Sequence, residues 1–384
     1  MTLRHLDNPS FPPALVAPGP TQVPPEVLEV MARPILHHRS SLFREALRAV
    51  RDGLQEIAQS EYPVLLLTCT GTAATESAVV NLARPGAGAA VVAAGYFGER
   101  WVELAELYGL DVVPVRYDWG AVPSPADLEE ALRRRPDVRT VYLVHSETST
   151  GVVLDLKAFT EVAKSAGALL VVDAVSSFAA VPIETDAWGI DVLITSSHKA
   201  LMTPPGLAFL FLSPAALEAA GEGSQPRFYL DWARNLATQV GTDPETWFSP
   251  AVSLVTGLEQ ALRMIEREGL DAVYSRHISL GRRCRAAVKQ IGLELFSPDD
   301  DSAAVMTAVR MPEGVDSSDV VQAMHDDGRV AIGDGEAKLK GSIVRIGHLG
   351  YVAEADVDRA VRALGSAVES LSATSKPRLS TGMG

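Results

Sequence analysis

Cysteine is scarce: Cys69 and Cys284 are the only two in 384 residues. They stand far apart and one follows an apolar run, which argues against a disulfide framework and for a reducing compartment, with Cys69 read as a small hydrophobe of the core. Positive charge is also in deficit, with 34 Lys and Arg against 48 Asp and Glu and a formal net charge of -14. Nucleic-acid affinity is built on clustered Lys and Arg, so this balance argues against a phosphate-backbone binder, while leaving room for a small anion in a local positive pocket. No stretch of about 20 residues is free of both charges and helix breakers, so no membrane span is expected. The first 20 residues lack the basic start and apolar run of a signal peptide. A soluble, cytoplasmic protein is the expectation.

With 47% hydrophobic and 21% charged residues the composition is that of a globular protein. The length is too great for one small core, so two packed units or one large α/β unit are expected. Pro9, Pro12, Pro13, Pro18, Pro20, Pro24 and Pro25 crowd the start, too many for helix or central strand, so residues 1–20 are taken as an extended arm lying on the body or on a partner subunit. Apolar positions return at helical spacing from Val27 to about Glu56, interrupted at Pro34.

Beyond that point short aliphatic runs alternate with helical segments. Strands are expected at 64–67, 89–93, 111–115, 140–144, 168–172, 192–194 and 207–212, with helices such as 72–82 and 156–165 between them. Continuous apolar strands separated by helices predict an α/β fold, a mostly parallel central sheet with helices on both faces. A long amphipathic stretch, 252–268, leads into mixed helices and short strands (277–291, 306–309, 317–326, 343–346, 354–371), which read as a smaller C-terminal α+β domain. The expected division is arm 1–20, large domain 21–265 and small domain 266–384, with a frayed tail from Ala373.

Ligands of an open parallel sheet bind at the carboxyl ends of its strands, so the residues after each apolar run are the ones to read. Thr70-Gly71-Thr72 stands between a strand and a helix, where free N–H groups, hydroxyls and the helix dipole suit an anion; a plain helix start is the alternative. It is neither a Walker loop nor a GxGxxG. Asp173 ends another strand, where a carboxylate can cap a loop, pair with a cation or bind a metal. Lys199 follows a third, in an apolar and hydroxylated setting that would lower its pKa and make the amine a nucleophile, although most lysines are simply exposed. Arg345 lies inside an apolar strand, where its planar fork suits a carboxylate or a structural ion pair. Each signal is weak alone. Together they are what one cofactor, pyridoxal 5'-phosphate, needs: an amine for its aldehyde, an acid for its ring nitrogen, a phosphate cup, and an arginine for the substrate carboxylate.

The chain resembles the fold-type I, class V aminotransferases, in particular the alanine-glyoxylate, serine-glyoxylate and serine-pyruvate group. The resemblance runs from Pro18-Gly19-Pro20-Thr21 through His38-Arg39-Ser40, Thr70-Gly71-Thr72-Ala73-Ala74, Gly98-Glu99-Arg100-Trp101, Glu147-Thr148-Ser149-Thr150-Gly151, Asp173-Ala174-Val175-Ser176-Ser177 and Lys199-Ala200-Leu201 to Arg345-Ile346-Gly347-His348. It implies that Lys199 carries the cofactor and moves the Cα proton, that Asp173 partners the pyridine nitrogen, and that Val175 packs under the ring. Thr70, Gly71 and Thr72 would form the phosphate cup, with Phe97 stacking on the ring where relatives often have Trp. Thr148 would stand near the ring hydroxyl, Arg345 and Gly19 at the substrate, and Thr246 and Ser249 would reach a phosphate across a homodimer interface. His198 departs from the Gln of many relatives; its imidazole could still bond the phosphate and could add charge.

The implied activity is ping-pong transfer of an amino group from alanine or serine to glyoxylate or pyruvate. With one Arg clamp and no obvious second basic cluster, small monocarboxylates are favoured, although His37, His38 and Arg39 could extend the anion-binding side. A lyase on the same scaffold is the alternative, but a desulfurase needs a reactive cysteine on a mobile loop, which neither Cys69 nor Cys284 resembles. A non-catalytic accessory relative is the other.

Overall fold

Residues buried on both faces satisfy their backbone groups only by pairing with other strands, and the apolar runs do so here. Seven of them, β1 (Val64–Leu67), β2 (Gly88–Ala93), β3 (Asp111–Arg116), β4 (Val138–Val144), β5 (Leu169–Asp173), β6 (Val192–Ser196) and β7 (Ala208–Leu212), form one sheet in the order β1-β7-β6-β5-β4-β2-β3. Strands β2 to β6 pair in parallel, whereas β7 runs antiparallel to both β1 and β6. Six strands therefore point the same way, and their carboxyl ends gather at one edge. The computed structural model describes residues 14–301, 303–327 and 329–375.

Helices close both faces. One core joins α1 (Ser41–Ala58) to the sheet through Leu54, Phe209 and Leu258; the other packs Ala78, Trp101, Tyr142 and Trp232. Helices α2 (Gly71–Leu82) and α3 (Tyr96–Leu107) follow β1 and β2 directly, so both begin at the edge where the strands end. The helical spacing from Val27 onward resolves into Pro25–Met31 and α1, broken around Pro34 and restarted by Ser40, whose hydroxyl accepts from the Phe43 N–H at 3.3 Å.

The C-terminal part builds a second, antiparallel sheet from β8 (Met306–Arg310), β9 (Gly333–Asp334) and β10 (Ile343–Gly347), with β10 central. Its own core gathers Cys284, Val320, Val344, Ile346 and Leu364. The helices leading into it are α4 (Val252–Glu268) and α5 (Leu270–Gln290), the latter starting seven positions before the expected 277. α4 crosses residue 265 without a break. The last helix, α6 (Glu354–Ser375), runs past Ala373, and the remainder of the expected tail lies outside the described residues, as do residues 1–13 of the arm.

What is described of the arm is ordered by backbone pairing. Ala14–Leu15 adds to Val330–Ala331 in parallel, and the Val16 carbonyl accepts from the Gly347 N–H at 2.8 Å. The chain is thereby led across the small sheet to the edge of the large one. Among the described residues no helix is long and apolar enough to cross a membrane.

Candidate active site

The loops at that edge enclose a cavity of about 470 Å³. Thr70, Gly71 and Thr72 line it from the start of α2, Phe97 from α3, Thr148 from the loop after β4, Asp173 and Val175 from the end of β5, His198 and Lys199 from the loop after β6, and Gly19 from the arm. Positions 19 to 199 in the sequence thus meet because six strands share a direction.

Lys199 is 8% exposed, and its Nζ donates to the Pro18 carbonyl at 2.8 Å. Burial, then the charge of Arg345, push its pKa down to about 8, against the opposite pull of Asp173 and Glu336. Asp173 ends β5 almost fully buried, Oδ1 accepting from the Val175 N–H at 2.9 Å. Burial raises its carboxyl to about 6, although that hydrogen bond works in the other direction. Burial and the neighbouring Lys199 hold His198 down to about 4, so its imidazole is neutral at physiological pH and adds no charge; its Nδ1 lies 3.1 Å from Ser196 Oγ.

The start of α2 has no side-chain cap, although Thr70 stands at the capping position. Its first N–H groups face the cavity's end of the helix dipole, a setting that favours an anion. Gly71 lets the turn approach the end of β5: a Cβ there would lie 3.0 Å from Val175 Cγ2.

Arg345 stands behind the cavity in the middle of β10, 8% exposed. Nε donates to the Asp334 carbonyl at 2.6 Å, Nη1 to the Thr148 carbonyl at 3.0 Å, and Nη2 pairs with Glu336 at 2.7 Å. A guanidinium has five N–H donors; among the described residues these bonds use three, which leaves two, the number a carboxylate takes bidentately. Thr148 meets Arg345 through its backbone carbonyl rather than its hydroxyl.

Gly19 sits at φ +153°, where an ideal Cβ would fall 2.3 Å from Lys199 Nζ. Gly19→Ala is expected to displace that amine and to lower kcat roughly 100-fold, the scale of an ångström's misplacement at a reacting group. Stopped-flow rates beside a melting curve check this; wild-type rates would show that the amine has room elsewhere.

Sequence reading gave no role to Glu147. It is 3% exposed and accepts from the Phe97 N–H at 3.1 Å, the Gly98 N–H at 3.0 Å and the Ser149 hydroxyl at 2.6 Å. It thereby caps α3 from a different loop and ties Phe97 to the segment carrying Thr148. Only a Gly at position 95, whose Cβ would lie 2.4 Å from Glu147 Cγ, makes room for it.

Other expected residues do not reach this cavity within one chain. Thr246 is buried, its hydroxyl donating to the Phe248 carbonyl at 2.7 Å, and Ser249 is exposed; neither lines the cavity. Arg39 pairs with Glu245 at 2.5 Å, and His37 stacks on His38, so this trio does not extend the anion-binding side here. Burial pushes the thiols of Cys69 and Cys284 up to about 12, which leaves them unreactive at neutral pH. Among the described residues no group of three or more His, Cys, Asp or Glu is placed to hold a metal ion.

Comparison with known proteins matches this architecture over most of its length. The family model described as Aminotransferase class-V matches residues 14–360. The small subunit of a soluble hydrogenase from a Synechococcus strain is 38% identical over 94% of this chain and 94% of its own. An L-aspartate–glyoxylate aminotransferase from Paracoccus denitrificans is 36% identical over 88% of this chain and 86% of its own. Among solved structures, an alanine–glyoxylate aminotransferase from a Nostoc species superposes with a TM-score of 0.90 at 31% identity, covering 96% of this chain and 98% of its own. The chain belongs to the class V aminotransferases, pyridoxal-phosphate enzymes of fold type I.

Proposed function

We propose that this aminotransferase moves the amino group of a small L-amino acid, alanine or serine, to glyoxylate or pyruvate in two half-reactions, the donor's oxo acid leaving before the acceptor binds. The observation that carries this reading is the Arg345 guanidinium, with two donors to spare among the described residues, bonded to the Thr148 carbonyl beside a cavity that also holds a buried amine and a buried carboxylate. One clamp suits one carboxylate. Glyoxylate as acceptor is supported by the names of the alanine–glyoxylate and aspartate–glyoxylate relatives.

The residues present suit pyridoxal phosphate. When bound it supplies an aldehyde carbon that accepts the amino group and a protonated ring that draws electrons from the substrate's Cα–H bond. Lys199 offers the one buried amine of the cavity, tuned so that a neutral Nζ is available near pH 8, and moves the proton at Cα. Asp173 holds the proton of the ring nitrogen. Phe97 and Val175 confine the ring, Thr148 stands by its hydroxyl, and the uncapped start of α2 with Thr70, Gly71 and Thr72 takes the phosphate, helped by neutral His198. Arg345 would hold the substrate carboxylate, with Gly19 against Lys199, so that the substrate's Cα–H bond is presented to Nζ.

The reading includes a cytoplasmic homodimer in which buried Thr246 and exposed Ser249, neither of which lines its own chain's cavity, complete the partner's phosphate site. It also includes the division into arm 1–20, large domain 21–265 and small domain 266–384, the last bringing Arg345.

The test is a panel of half-reactions with alanine, serine and aspartate as donors and glyoxylate, pyruvate and 2-oxoglutarate as acceptors, followed by the cofactor's absorbance. Alanine or serine with glyoxylate should be fastest; if only 2-oxoglutarate accepts, the reading fails. Arg345→Gln should raise KM for both carboxylate substrates roughly 10–100-fold, the worth of a charge-assisted bidentate pair, with cofactor absorbance retained. An unchanged KM in steady-state assays would move the clamp elsewhere.

A further inference from the structure

The motif Gly98-Glu99-Arg100-Trp101 is only partly used by the roles above. Gly98 lets α3 start against β2, its Cβ position lying 2.8 Å from the Ala93 Cα, and Trp101 is buried on Tyr142. Arg100 is neither. It lines the cavity, and its Nη2 donates to the Thr72 hydroxyl at 3.0 Å, at the uncapped start of α2. Its guanidinium also lies 5.9 Å from the centre of the Phe97 ring.

The charges of the cavity do not balance without it. A phosphate ester carries nearly two negative charges at neutral pH, and a helix start offers about half a positive one. His198 is neutral, and Lys199 is committed to the aldehyde end of the same ligand. Arg345 spends its bonds on the small domain and the Thr148 carbonyl, on the substrate's side. Among the described residues Arg100 makes no ion pair, although Asp173, Glu76 and Glu103 share the cavity wall with it and its charge reaches Asp173 through space, drawing that carboxyl's pKa down. Glu76 is bonded to the Tyr108 hydroxyl at 2.6 Å instead.

We infer that Arg100 is the counter-charge of the cofactor's phosphate, holding it through the guanidinium while keeping Thr72 turned toward the cup. The inference rests on the cofactor site proposed above and adds to it a cation which that site otherwise lacks. Its role is electrostatic and specific to the phosphate, so it distinguishes pyridoxal phosphate from pyridoxal, which has the same ring and aldehyde.

The experiment measures dissociation constants of pyridoxal phosphate and of pyridoxal on cofactor-depleted protein, by fluorescence titration at two salt concentrations, for the wild type, Arg100→Gln and Arg100→Lys. Arg100→Gln should weaken pyridoxal phosphate roughly 10–100-fold, leave pyridoxal within about twofold, and flatten the salt dependence of the phosphorylated ligand. Arg100→Lys, which keeps the charge, should recover most of the loss. The inference is overturned if Arg100→Gln weakens both ligands alike, if it weakens neither, or if Arg100→Lys binds no better than Arg100→Gln. Wild-type protein that binds neither ligand would overturn the site assignment itself, a different result from any of these.

Discussion

Replacing Lys199 by Ala is expected to lower the rate of amino transfer by at least roughly 10²–10⁴-fold, the worth of a positioned general base, because among the described residues no other lysine lines the cavity. The loss should exceed that of a base alone, since the proposed role has the same side chain bond the cofactor. Two measurements check it. Borohydride treatment of the wild type should fix the cofactor's mass on the peptide containing Lys199 and leave the variant unlabelled, and single-turnover rates should fall in parallel. A variant that turns over at the wild-type rate would remove Lys199 from the chemistry. Because burial and Arg345 bring the amine to about 8, capture of added cofactor by depleted protein should speed up as pH rises toward 8 and then level off. The sign follows from the neutral amine being the nucleophile.

Asp173→Ala should cost roughly 10²–10³-fold in kcat, the scale for removing one preorganised electrostatic partner of the developing charge. The carboxylate acts on the ring only while ionised. Burial lifts its carboxyl to about 6, so in the proposed role it would hold the ring proton above that pH, while below it the group is neutral and the hold would be lost. Activity should therefore fall as pH drops through about 6, with a bound cationic ring drawing the midpoint lower, and that acidic limb should be missing in Asp173→Asn. A limb that persists in Asp173→Asn would assign it to another group.

Much of the large unit was legible because its signals are local. Val64–Leu67, Leu156–Ser165, Val252–Glu268 and Ser317–Asp326 coincide with the expected ranges residue for residue. The strand is a short run buried at every position after Pro63, and each helix has a periodic burial pattern with a cap or a breaker at its ends, as Asp155 caps Leu156–Ser165 through the Ala158 N–H. Helix α5 was read short because Asp271, Ser275 and Arg276 interrupt the apolar positions between Leu270 and Arg276, and what makes this stretch helical is continuation of the turn into the buried face of Val273, Tyr274, His277 and Leu280. That Thr70, Asp173 and Lys199 would line one cavity was legible for the same reason. Thr70, Asp173 and Lys199 each follow a recognisable strand, and chemistry at strand ends is a property of the sheet.

The parts that escaped depend on contacts between distant segments. Nothing beside Glu147 in the chain announces that it caps α3, fifty residues earlier, because a side chain bonding another loop's N–H groups leaves no periodic trace. The bond from Lys199 to Pro18 spans 181 positions, and that from Arg345 to Thr148 spans 197. His198 shows the same division: its identity suggested a positive charge, and burial beside Lys199 removed it. By itself the amino-acid sequence determined the elements, their alternation and the residue types offered at the strand ends, since these follow from the period of apolar positions and from local capping. Which groups touch, which of the cavity's cations is free for an anion, and how far each pKa moves were decided by the tertiary structure, because desolvation and hydrogen bonding act through space between residues that the chain holds far apart.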